Sequence, residues 1–351
     1  RGKPGDKVTI TSVDNNSSRQ VTIDASGSFP LTKLPPGDYR VVAGGVSRDV
    51  NVAIGSGTNV SMVADGEQRV VISRVRSAID VSSTESNTVF TAAQMQALPV
   101  GRDANSFALL APGVVKGDAD LGAGGLPSFG GASVAENSYY INGFDVTNIR
   151  KFLSYANLPF DAIGAQQIKT GGYGAEFGRS LGGVVSLVTK RGTNEWKGGA
   201  SVFYEPESLR SRGRNVVDLD PTHPDTYTVF RAPRRQTDLS YNVYGGGPLV
   251  KDKLFIFALA EGRRDTFDTF SEQSSLHSRS NQPNGMVKID FTPSEMHRLE
   301  LTAISNKKND EIEDYVVSAS GERNATSHLG KGALSTQTSG GEVYIGKYTG
   351  Y

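Results

Sequence analysis

Catalysis and ligand capture need particular side chains at particular spacings, and the 351-residue sequence offers few such sets. It contains no cysteine, which excludes disulfide frameworks, thiolate nucleophiles and sulfur-ligated zinc. Its four histidines, His223, His277, His297 and His328, lie far apart, and none stands in a ligand spacing such as that of a zincin helix. No Gly-x-Ser-x-Gly elbow occurs, so a Ser-His-Asp arrangement would need a long-range coincidence. "GGYGAEFGRSLGG" (171–183) lacks the closing Gly-Lys-Ser/Thr of a phosphate loop. "GDADLG" (117–122) begins like a calcium loop but has no closing glutamate. The acidic run "NDEIED" (309–314) reads most simply as a solvated loop. The expectation is a protein that is not an enzyme, with no catalytic residue, no metal site and no cofactor.

Charge narrows the partners. With 37 basic and 37 acidic residues the formal net charge is zero, so the electrostatic footprint of a nucleic-acid binder is missing. Glycine is abundant at 41 residues, and strand-forming aromatics are spread among turns, which favours a mainly β fold. No apolar run approaches the roughly 20 residues of a membrane helix. Barrel strands, at about 9–11 alternating residues each, would leave no such signal.

Three regions differ in pattern. Residues 1–64 read as short strands punctuated by turns ("KVTITSV", "RQVTIDA", "GSFPLTKLPPGDYRVVAGG", "SRDVNVAIG", "TNVSMVA"), the expectation for a small β-sandwich. Residues 65–84 are polar around the β-prone Val70–Ile72 and suit a linker or a strand awaiting an edge. Residues 85–192 mix short elements. Thr91 with Gln94 makes a capping box before Pro99, a second short helix runs from about Asp103 to Leu110, and a strand at 138–141 closes on the turn Asn142-Gly143.

From 193 to 351 the alternation becomes period two. Trp196, Ala200, Val202 and Tyr204 share a face opposite Lys197, Ser201 and Glu205, and Leu239, Tyr241 and Val243 alternate with Ser240 and Asn242. Val287, Ile289 and Phe291 alternate with Lys288 and Asp290, and Leu299, Leu301 and Ala303 form the next face. Tight turns at "KDK" (251–253) and "TPSEMH" (292–297) alternate with long polar stretches, 206–237, 268–282 and 309–340, read as loops. Long loops at one end and short turns at the other are the pattern of an outer-membrane barrel, with apolar residues toward lipid and Lys288, Asp290, Arg298 and Glu300 toward the lumen. About six strands are present, too few to enclose a folded domain, so further chain or a partner is expected.

"LPVGRDANSFALLAPGVV", "GGASVAENSYYINGFDVTN", "LPFDAIGAQQIKTGGYGAEFGRSLGGVVSLVTKRGTNEWKGG" and "YGGGPLVKDKLFIFALAEG" closely resemble the plug and first barrel strands of TonB-dependent outer-membrane receptors of the Oar-like group. "GSFPLTKLPPGDYRVVAGG" is similar to the carboxypeptidase-regulatory-like β-sandwich that precedes the plug in that group. Where the related SusC-type importers carry a "GYGTQKK"-like segment, this chain has "VVISRVRSAID", which argues against that branch.

The resemblance implies a sandwich, a mixed α/β plug and the first strands of an antiparallel barrel of about 22. It also implies an outer-membrane protein of a Gram-negative bacterium with sandwich and plug on the periplasmic side. "GVVSLVTK" would be the last plug strand, "GTNEW" the handover to the barrel, and Trp196 part of the aromatic girdle. The implied function is import of an extracellular ligand energised by the TonB complex, with the alternative of a structural or export-associated plugged barrel. The TonB C-terminal domain would add to Arg69, Val70, Val71, Ile72 and Ser73 as a TonB box. Ligand-facing plug candidates are Asp118, Phe129, Tyr139, Tyr140, Asn142 and Asp145. Other implied partners are outer-membrane lipid, an extracellular ligand of undetermined class and, as an option, a surface lipoprotein.

Overall fold

The computed structural model of the chain describes residues 5–25, 27–31, 34–35, 37–52, 60, 62, 85–118, 126–148, 158–217, 227–271, 274–294, 296–316 and 327–350. The TonB-box candidate Arg69–Ser73 and most of "TNVSMVA" lie outside these residues.

The first unit is an antiparallel sheet of β1 (Lys7–Ser12), β2 (Ser18–Thr22), β3 (Gly37–Ala43) and β4 (Val46–Val52), in the order β2-β1-β3-β4. Alternation sends Val8 and Ile10 to the same side as Tyr39, Val41 and Ala43. Phe29, Leu31, Leu34 and Met62 pack against that face and complete its core.

The central unit comprises β5 (Ser86–Thr91), α1 (Ala92–Ala97), α2 (Ala104–Ala108), β6 (Val114–Lys116), β7 (Pro127–Phe129), β8 (Ser138–Ile141), β9 (Phe144–Asp145), β10 (Ile163–Gly171) and β11 (Val184–Thr189). Its five-stranded sheet runs β5-β10-β11-β8-β9, with β8 parallel to β11 and the other pairs antiparallel. The helices start where their caps dictate. Thr91 and Gln94 satisfy each other's backbone N–H at α1, and the Asp103 carboxylate accepts from the N–H groups of Asn105 and Ser106 at α2. Asn142 and Gly143 take φ values of 53° and 83°, the left-handed pair that a two-residue hairpin requires. β11 is buried almost throughout, as expected for a strand covered on both faces.

The third unit is a curved antiparallel wall. Its strands are β12 (Lys197–Glu205), β13 (Val216–Val217), β14 (Tyr227–Val250), β15 (Leu254–Phe270), β16 (Ser274–Ser294), β17 (His297–Asn306), β18 (Lys308–Val316), β19 (Lys331–Ser339) and β20 (Glu342–Gly350). Six of them form the main path, β12-β14-β15-β16-β17-β20. The tight turns fall where the sequence places them, at 251–253 and between Ser294 and His297.

The expected long loops need correction. Residues 227–237 and most of 268–282 continue the strands, so β14, β15 and β16 reach 24, 17 and 21 residues. A tilted strand crosses a bilayer in about 9–11 residues, so these hairpins project well past it. Part of 309–340 likewise forms β18 and β19, and β18 pairs with the outer half of β16 while β17 takes the inner half. In that outer region buried positions such as Asp268, Ser275 and Ser280 are themselves polar, so the period-two signal that marks a membrane strand is lost.

One packing contact anchors the central unit. A Cβ at Gly183 would overlap the ring of Phe129, which is buried. Gly183→Ala is expected to destabilise this unit by about 1–3 kcal/mol through overpacking. The check is a lower urea midpoint at unchanged slope for the protein in detergent.

Candidate functional site

The wall's inner face is built for a protein neighbour. Phe257, Leu259, Met286, Ile304 and Ile345 point inward from β15, β16, β17 and β20 and share one contiguous core with Phe107, Ile141, Phe160, Ile163 and Leu187 of the central unit. The outer face carries Val202, Tyr241, Val243, Leu301 and Tyr344, all exposed. The run "LFIFALA" (254–260) is therefore apolar on both faces, with outward-facing apolar residues between residues that the central unit covers.

Beside this apolar patch the inward charges neutralise one another. The Arg298 guanidinium lies 2.8 Å from Asp290 and 3.2 Å from Glu300, and Lys288 Nζ lies 3.3 Å from Glu300. The same Lys288 ammonium donates to Thr189 Oγ1 of the central unit at 3.2 Å. All four charged groups expected in the lumen do face it, paired as buried charges must be.

A second polar contact holds the central unit higher on the wall. Asp161 is buried on the single turn Phe160–Ala162 that precedes β10. Its carboxylate accepts from Arg102 Nη2 at 2.8 and 2.9 Å, from Asn242 Nδ2 at 2.6 Å and from Ser201 Oγ at 3.2 Å. One carboxylate thus ties α2's approach segment to strands β12 and β14. The Arg102 guanidinium also sits 4.3 Å from the centre of the Phe160 ring and 3.8 Å from that of Phe203, a cation–π sandwich between the two units. Lys190 stands nearby over Tyr244. Burial pushes its ammonium below the ordinary lysine value, with Asp161 opposing and Arg102 adding to the shift.

Between the first sheet, the central sheet and the wall lies a cavity of about 1000 Å³ whose lining includes Gln167, Lys169, Ser186, Lys190, Lys288 and Glu300. Its lining mixes these polar side chains with a larger apolar surface, and Lys169 is itself held by Glu85 at 2.6 Å.

The structure disperses the ligand-facing candidates. Phe129 and Tyr139 are buried in the central core, which removes them from any ligand surface; burial also raises the Tyr139 phenol above its usual value. Tyr140 is buried too, edge-on to Phe177 at 5.4 Å. Asn142 turns toward the wall rather than outward. Its amide accepts from Thr189 N at 3.1 Å and donates to Thr302 Oγ1 at 3.3 Å, five residues along β17 from His297. Asp145 is exposed but caps Thr147 N on the same short-turn side. Asp118 is exposed, following Gly117, which packs on Val134 near the start of β8 at the opposite end of the central sheet. Trp196 is exposed immediately before β12, its indole lying over Gly247.

Two sets escaped sequence reasoning. Arg102 and Asp161 are 59 positions apart, and a lone aspartate after Pro-Phe carries no spacing signal. The histidines read as far apart are not all so, since the β15–β16 hairpin brings His277, and the segment before β19 brings His328, to Asp268.

A β-wall that is apolar outside and covered on its inner face by a folded domain defines a plugged-barrel architecture. Residues 80–184 match the family described as TonB-dependent Receptor Plug Domain. The chain is 26% identical over 309 residues to the TonB-dependent transporter Oar of Myxococcus xanthus, covering 81% of this chain and 27% of that protein. It thus spans about a quarter of that curated relative's length. Among solved structures it is similar to the outer-membrane transporter YddB of Escherichia coli (16% identity, TM-score 0.48, covering 67% of this chain and 37% of that one). It is also similar to Pseudomonas aeruginosa FpvA bound to heterologous pyoverdines (15% identity, TM-score 0.44, covering 75% and 31%). At these identities and scores the likeness says nothing about ligand. The similarity is thus to TonB-dependent outer-membrane receptors, with the plug-domain match falling on residues 80–184. Its relatives are transporters and receptors rather than enzymes.

Asp161→Ala would leave Arg102 between two rings without its carboxylate. Breaking a buried pair costs about 3–5 kcal/mol, and the partial exposure of Arg102 puts the expected loss near 3. Urea unfolding of the detergent-solubilised protein, followed by proteolysis of the plug, measures it.

Proposed function

We propose that this chain is the periplasmic and plug end of an active importer. An extracellular ligand is captured above the plug, the TonB complex pulls on the segment before it, and the plug moves enough to let the ligand through. The outer membrane holds no nucleotide supply, so the work must arrive mechanically through a partner. The observation that carries this reading is the seating of the plug: polar contacts around Asp161 and the Lys288–Glu300 group fix it to the wall with few atoms to release.

In this reading residues 1–64 are a carboxypeptidase-regulatory-like domain, 65–84 the linker with the TonB box, 85–192 the plug and 193–351 the first part of the barrel. Arg69, Val70, Val71, Ile72 and Ser73 are the edge to which the TonB C-terminal domain adds a strand. Outer-membrane lipid meets the apolar outer face, and a surface lipoprotein is a further partner of the loops. Among the exposed ligand candidates Asp118 is favoured over Asp145, because it stands at the plug end away from the short turns. The class of ligand is left open.

The test is binding of a peptide covering residues 65–84 to the TonB C-terminal domain, beside the same peptide carrying Val71→Pro. Proline removes a ladder donor, so strand addition is expected to be lost in the variant. A peptide that does not bind, or a proline peptide that binds equally, would move the account to a structural or export-associated barrel working without energised import.

A further inference from the structure

We propose that Asp268, His277 and His328 form a binding site for a zinc-class divalent cation on the outer β15–β16 hairpin, clipping the segment that enters β19 onto that hairpin. Asp268 and His277 face each other in register across β15 and β16. His328 arrives from the segment just before β19, far along the chain. The three donor atoms lie within 4.8 Å of one another. His277 Nδ1 is 2.5 Å and His328 Nε2 is 3.4 Å from the same oxygen, Asp268 Oδ1. Donors at about 2.0–2.1 Å around a tetrahedral zinc stand roughly 3.4 Å apart, so a small adjustment closes the set.

His328 is held for this role. Its ring stacks on Phe270 at 5.0 Å and lies 4.9 Å from Tyr315, and its Nδ1 is 2.9 Å from Ser275 Oγ. When that Nδ1–H donates to Ser275, the Nε2 lone pair points at the Asp268 carboxylate. Nε2 is buried and has no hydrogen-bond partner among the described residues. A lone pair facing a carboxylate oxygen is unfavourable until a cation stands between them. Ser275 then plays the outer-shell part that fixes tautomer and ring orientation.

The donor set selects the ion. Two imidazole nitrogens and one carboxylate oxygen suit Zn²⁺ and its neighbours rather than Ca²⁺ or Mg²⁺, which prefer all-oxygen shells. Three protein ligands leave one position open for water or for a donor atom on a bound molecule. Asp268 lies near the outer end of β15, which runs from Leu254 beside the short turn to Phe270. Cation binding rests on this geometry alone; that the site meets the external medium rests on the barrel orientation argued above.

The experiment is Zn²⁺ titration of the detergent-solubilised chain against a chromophoric chelator, with zinc-edge X-ray absorption on the loaded protein. One equivalent is expected, with a first shell of two imidazoles and carboxylate or water oxygen. His328→Ala and His277→Ala should each weaken binding by roughly tenfold or more, and Ser275→Ala by roughly tenfold. His297→Ala, whose ring stacks on Tyr348 near the short turns, should leave it unchanged. Absence of Zn²⁺ binding to the wild-type chain overturns the proposal, as does equal loss in His297→Ala. Retained binding in a His328→Ala protein whose far-ultraviolet circular dichroism is unaltered also overturns it, and the Asp268–His328 contact would then be read as a proton-bridged ion pair.

Discussion

The inner face of the β15–β17 wall has to be covered by protein, and most of the architecture follows from that. Phe257, Leu259, Met286 and Ile304 would face water in an open channel, where their exposure would be costly. Covering them requires a folded domain inside the wall, which in turn requires glycines and small polar residues where that domain hands over to the first strand. Gly192 illustrates the fit: a Cβ there would meet the Ile256 carbonyl oxygen at 2.5 Å. The remaining inward positions can then be charged, because Lys288, Asp290, Arg298 and Glu300 pair with one another.

This division of labour has a mechanical meaning. The apolar patch supplies affinity between plug and wall, while Asp161 with Arg102, Ser201 and Asn242 supplies position. The plug's own core, around Phe107, Ile141 and Ile168, is continuous with that patch.

Much of the fold is legible in the chain because local chemistry decides it. Thr91 with Gln94, Asn142-Gly143 and the Lys-Asp-Lys turn each name their own backbone conformation. The alternation at Val287–Phe291 and Leu299–Ala303 assigns outer and inner faces because the residues on one face are exposed and those on the other are covered. The polar ends of β14, β15 and β16 are not legible, since even buried positions there, such as Asp268, Ser275 and Ser280, are polar and the alternation vanishes. Site residues are harder still. Arg102 meets Asp161, and His328 meets Asp268, only through the packing of distant segments. Tyr139 and Phe129 mislead for the opposite reason, because an aromatic next to a glycine-rich loop looks exposed until the sheet that buries it is known.

The most direct test of a plug seated inside this wall uses the absence of native cysteine. Asn142→Cys and Thr302→Cys together place one thiol on the plug and one on the wall, where the native side chains approach to 3.3 Å. Treating outer membranes that contain this paired variant with a short bis-maleimide is predicted to cross-link most molecules intramolecularly. Labelling of each single-cysteine protein without any cross-link in the pair would contradict the account.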